Sequence, residues 1–75
     1  MSDLITIIEE TASAFYVGED QQGLDLFLGN AANMAVIPGI ADWLNPLFDV
    51  VEQQDYLYAA DILLYEVIPL AKTVG

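Results

Sequence analysis

Apolar residues recur at helical spacing in four stretches of the chain, and strand-like alternation is nowhere sustained. In the first stretch Leu4, Ile5, Ile8, Ala12, Phe15 and Tyr16 share one face. Ser2 is placed to cap this helix, Asp3 to complement the dipole of its first turn, and Gly18 to end it in a left-handed conformation. Asp20 can cap a second helix, on which Leu24, Phe27, Leu28, Ala31, Met34 and Ala35 form the stripe; it should stop near Val36, before the Pro38-Gly39 turn signal. Gly29 within it either admits a neighbouring helix closely or simply weakens the segment by about 1 kcal/mol.

From Ile40 onward, Trp43, Leu44, Leu47, Val50 and Val51 keep one apolar face straight through Pro46, while Asp42, Asp49 and Gln53 share the other. A proline at this point removes one hydrogen bond and crowds the carbonyl four residues earlier. Two forms satisfy the pattern: a single helix kinked at residues 42–46, or a turn followed by a new helix with Asn45 as cap and Pro46 in its first position. The unbroken phase of the stripe favours the kinked helix. Residues 52–55, Glu-Gln-Gln-Asp, read as a turn in which Asp55 caps the fourth helix. A connection this short predicts that helices three and four form an antiparallel hairpin.

The expected fold is therefore all-α, one helical domain over residues 1–75 built as a small bundle of four short helices, the third kinked or broken at Pro46. Its expected core is Phe15, Phe27, Trp43, Leu44, Leu47, Val51, Tyr56, Ala60, Leu63, Leu64 and Val67. A chain of 75 residues buries only about 60% of the surface its unfolded form exposes, so partner or self-association is an ordinary source of extra stability.

The fourth helix is unusual on its second side. Tyr56, Ala60, Leu63, Leu64, Val67, Leu70 and Ala71 supply the core face, yet Tyr58, Asp61, Ile62, Tyr65, Pro69 and Lys72 occupy the opposite one. Either helix one or the 18–23 loop covers that side, or Tyr58, Asp61, Ile62, Tyr65 and Pro69 form a partner-binding strip, tyrosine being enriched at interfaces. Pro69 deprives the Tyr65 carbonyl of its donor, so the helix should kink or end there, and Lys72 then complements a helix C-terminus.

The pattern D-Y-x-x-x-A-D-x-L-x-Y-E-x-x-P-L, carried by Asp55, Tyr56, Ala60, Asp61, Leu63, Tyr65, Glu66, Pro69 and Leu70, resembles the closing segment of small uncharacterised helical proteins of Gram-positive bacteria, some of which accompany motility. The resemblance spans about a quarter of the chain and implies an accessory or adaptor protein; it implies no activity.

Charge narrows the partners. Twelve carboxylates face one basic side chain, for a formal net charge of −11, and such a field opposes direct contact with nucleic acid or an anionic membrane. The chain lacks cysteine and histidine, which removes the usual ligands for zinc, copper, haem and iron–sulfur clusters and the usual nucleophilic triads. The Gly18 to Gly23 spacing has no Lys-Ser/Thr after it, so it is not a phosphate loop. Glu9 and Glu10 with Asp61 or Glu66 could do acid–base work only if buried together, and Glu19, Asp20 and Asp25 lack the ligand pattern of a calcium loop. No catalytic, metal or cofactor residue is therefore expected.

The longest apolar stretch without charge, residues 26–41, is shorter than the roughly 20 residues of a membrane span, and the N-terminal segment has no positive n-region, which predicts a cytoplasmic protein. The expected function is a non-enzymatic interaction module, an adaptor, chaperone-like or regulatory protein that binds a protein partner or itself, as a possible homodimer. The alternative is an acidic neutraliser of a basic partner: an antitoxin, an immunity protein or a nucleic-acid-mimicking inhibitor. Salt separates the two, because charge-driven association weakens with ionic strength far more than apolar docking does.

Overall fold

The computed structural model describes residues 4–73, which form four helices; the Ser2 cap and Asp3 lie outside them. Helix α1 spans Leu4–Tyr16, α2 Asp20–Met34 and α3 Ala41–Glu52. The last helix, α4, runs over residues 56–72 in three consecutive pieces: α-helical Tyr56–Ile62, π-helical Leu63–Val67 and α-helical Ile68–Lys72. No strand occurs among the described residues, and none of their helices is long and apolar enough to cross a membrane.

Helix α1 packs against α2 on one side and along all three pieces of α4 on the other, while α3 packs on the first piece of α4. The Phe27 and Phe48 rings, 5.1 Å apart and tilted by 54°, bring α2 and α3 together. Phe15 is the central knob: it is buried, its ring stacks on Tyr56 of α4 at 5.2 Å, and on α2 it meets Gly23. A Cβ at position 23 would sit 2.5 Å from the Phe15 ring, so the glycine that permits close helix approach is Gly23; around Gly29 there is open space.

Of the expected core, Phe15, Phe27, Leu47, Ala60, Leu63 and Val67 are buried in the observed one, and Trp43, Leu44, Val51, Tyr56 and Leu64 are half-buried and pack against it. Ile8, Ala12, Met34, Ile37, Ile40, Ala59, Ile62 and Ile68 extend it. The buried Thr11 hydroxyl donates to the Ile7 carbonyl one turn back at 2.8 Å, which satisfies it inside the helix.

Two helix ends share one geometry. Past α1, the Glu19 N–H reaches the Ala14 carbonyl and the Gly18 N–H the Phe15 carbonyl, with Gly18 at φ 85°. Past α3, the Asp55 N–H reaches the Val50 carbonyl and the Gln54 N–H the Val51 carbonyl, with Gln54 at φ 63°. Both are Schellman motifs, and the second sets a side-chain-bearing residue where glycine is preferred. Asp55 then caps α4, accepting from the Tyr58 N–H at 3.4 Å.

Three expectations need correction. Asp20 is the first residue of α2 rather than its cap, because the tight turn after Gly18 puts Glu19 in the cap position, where its side chain makes no capping bond. The same helix stops at Met34, ahead of Val36, and Leu28 (58% exposed) and Ala35 face outward. Helix α3 runs through Pro46 without a break, so Asn45 is an interior residue, not a cap. The proline is tolerated because the carbonyl it leaves without a helical donor belongs to Asp42, an exposed residue accessible to water.

Candidate functional site

Pro69 shapes the surface of α4. Lacking an N–H, it offers no donor to the Tyr65 carbonyl, and its ring would crowd that group in a regular α-helix. Directly before it the chain widens: the Ile68 N–H donates to Leu63, five residues back, and residues 63–67 form a π turn. A π turn adds a residue and rotates the part of the helix beyond it, a recognised answer to an interrupted ladder. Val67, Ile68 and Ala71 are all buried.

On the other side of α4, the expected strip divides. Tyr58 and Tyr65 are 53% and 69% exposed, and Asp61 and Pro69 are exposed as well. Ile62 is not: it is 4% exposed and belongs to the core, a correction to its place on an open strip. The reason is that α4 lies between α1 and α3, so its apolar arc must serve two neighbours, and the side expected to be covered by α1 or the 18–23 loop is partly covered by α3.

The α3–α4 junction leaves a shallow groove of about 190 Å³, lined by Trp43, Tyr58, Asp61, Ile62, Tyr65 and Glu66. Four of the five nominated residues thus meet in one recess, with the buried Ile62 as its floor; Pro69 is not among its lining. Trp43 and Glu66 were missing from the sequence-based strip. Trp43, an expected core residue, is partly buried and packs against the core, but an indole commonly keeps a polar edge at a boundary.

Asp61 is held from a third helix. The Tyr16 hydroxyl on α1 donates a hydrogen bond to its Oδ1, and this bond, with loss of solvent and the nearby negative charge, pushes the Tyr16 phenol up to about 12. Asp61 is thereby oriented at the groove edge, a positioned carboxylate rather than a freely rotating one.

A larger cleft of about 440 Å³ lies where the end of α1 meets the α3–α4 turn, lined among others by Phe15, Tyr16, Asp55 and Tyr56. Two of its polar side chains are already engaged: Asp55 caps α4, and Tyr16 is bonded to Asp61. Glu9, Glu10, Asp61 and Glu66 are all exposed, so the carboxylates considered for acid–base work form no buried pair. No group of three or more acidic side chains among the described residues is arranged to hold a metal ion. No family model, curated protein or solved structure matches this chain.

Proposed function

We propose that this protein is a non-enzymatic interaction module, an adaptor or regulatory protein of the cytoplasm that binds a protein partner, or a second copy of itself, through the Tyr58–Tyr65 face of α4. The observation that carries this reading is the pair of largely exposed tyrosines, seven residues apart on α4, that line one groove together with the buried Ile62 and the carboxylates of Asp61 and Glu66. The reading takes α3 and α4 as an antiparallel hairpin bent at Pro46. It involves neither nucleic acid nor membrane, in keeping with the net charge of −11. The likeness of the closing segment to bacterial accessory proteins points in the same direction.

The test is capture of partners from a lysate of the source organism with the wild-type protein and with the Tyr58→Ser/Tyr65→Ser variant in parallel, washed at low and at high salt. A partner retained at high salt by the wild type and lost by a variant of unchanged helicity supports the module. The high negative charge favours a second reading, the acidic neutraliser, for which the expected result is a basic partner released by salt and indifferent to the tyrosines.

A further inference from the structure

We infer that the α3–α4 groove receives an arginine side chain from a basic segment of a partner protein; this deepens the interaction reading and rests on it. Three aromatic residues, Trp43, Tyr58 and Tyr65, and two carboxylates, Asp61 and Glu66, line a single recess of about 190 Å³. That volume falls below the roughly 300 Å³ at which pockets for small-molecule ligands begin, and it suits one inserted side chain.

The chemistry of the lining selects which one. Aromatic faces attract cations, and carboxylates beside them supply acceptors for a charge-assisted, two-pronged hydrogen bond. A guanidinium is planar, stacks on rings and offers paired donors, whereas a lysine ammonium is a compact and strongly hydrated point charge. Tyr16 already occupies Oδ1 of Asp61, which leaves Oδ2 and the Glu66 carboxylate to meet the incoming cation. This chain cannot fill the recess itself with a basic side chain: its one lysine or arginine, Lys72, stands in the last turn of α4, outside the groove. A second copy would bring the same acidic surface, so the complementary partner is a different, basic protein.

Trp43 is the one tryptophan of the chain, so its fluorescence reports on the groove directly. The 75-residue protein is titrated, at physiological ionic strength, with a blocked alanine-based peptide carrying three arginines and with its twin in which neutral citrulline replaces them. The expected result is a saturable Trp43 response to the arginine peptide, none to the citrulline peptide, and at least ten-fold weaker binding to the Glu66→Gln variant, which leaves the Tyr16–Asp61 bond untouched. Equal binding of both peptides overturns the inference while keeping the interaction surface, provided the Tyr58→Ser/Tyr65→Ser variant loses that binding. Arginine-peptide binding that leaves Trp43 silent or ignores Glu66→Gln is diffuse attraction to the acidic surface and also overturns it. Silence with both peptides removes arginine as the occupant, and the lysate capture then decides the interaction reading separately.

Discussion

Tyr16 of α1 donates its hydroxyl hydrogen bond to Asp61 of α4, and through it the helix that organises the bundle holds a carboxylate at the edge of the α3–α4 groove. The bond joins residues 45 positions apart on the surface of the molecule. Folding therefore makes the phenol a weaker acid, with its value raised from 10.0 to about 12.

That shift sets the sign of a pH effect. The folded state holds the Tyr16 proton more tightly than the unfolded chain, so this contribution to stability is complete below pH 10 and is lost as pH rises toward about 12. Ultraviolet titration of the four tyrosines should show one that ionises late, near pH 12. Asp61→Asn keeps an acceptor but removes the charge, and the late step should move back toward 10. A late step unchanged in Asp61→Asn would show that the carboxylate is not its cause.

Two glycines of α2 should respond in opposite directions to the same substitution. Gly23→Ala drives a methyl into the Phe15 ring and should destabilise by about 1–3 kcal/mol, the usual effect of overpacking. Gly29→Ala meets nothing within 4 Å in an exposed helix interior and should stabilise by about 0.5–1 kcal/mol. Urea denaturation of the two variants beside the wild type measures both, and a shared sign would refute the close approach assigned to Gly23.

The matching Schellman turns predict a second opposed pair. Gln54 bears a side chain at φ 63°, so Gln54→Gly should gain about 0.5–1 kcal/mol. Gly18→Ala forces a Cβ into φ 85° and should lose about 1 kcal/mol, although no neighbouring atom obstructs it. Thermal melts monitored by circular dichroism read both changes.

Burial separates Ile62 from the tyrosines that flank it. Ile62→Ala empties a buried site and should cost about 2–4 kcal/mol, whereas Tyr65→Ser on the exposed face should change stability by no more than about 0.5 kcal/mol. Chemical denaturation gives the comparison. Comparable losses in both variants would place Tyr65 in the core and remove it from the binding face.

Much of this arrangement was legible from residue order alone, because its causes are local. Gly18 ends α1 and Asp55 caps α4 through bonds to near neighbours in the chain, and the 3.6-residue stripe marks Phe15, Leu47, Leu63 and Val67 as core whatever the helices later pack against. The π turn before Pro69 was foreshadowed as a disturbance but not as its kind, since a kink, a stop and a widened turn all relieve the same missing donor.

Other features depend on which helices meet, and no periodicity encodes that. Gly23 rather than Gly29 became the close contact because Phe15 of α1 lands on it. Ile62 went inside because α4 is flanked by both α1 and α3, and Trp43 and Glu66 joined Tyr58 and Tyr65 because the α3–α4 packing left a recess between them. The sequence by itself determined four helices, the ends marked by Gly18 and Asp55, most of the buried faces and an acidic surface with one lysine, all set by backbone chemistry, side-chain polarity and charge. Only the tertiary structure decided the groove and the Tyr16–Asp61 link, because each is made by residues from different helices whose proximity exists only once the core has packed.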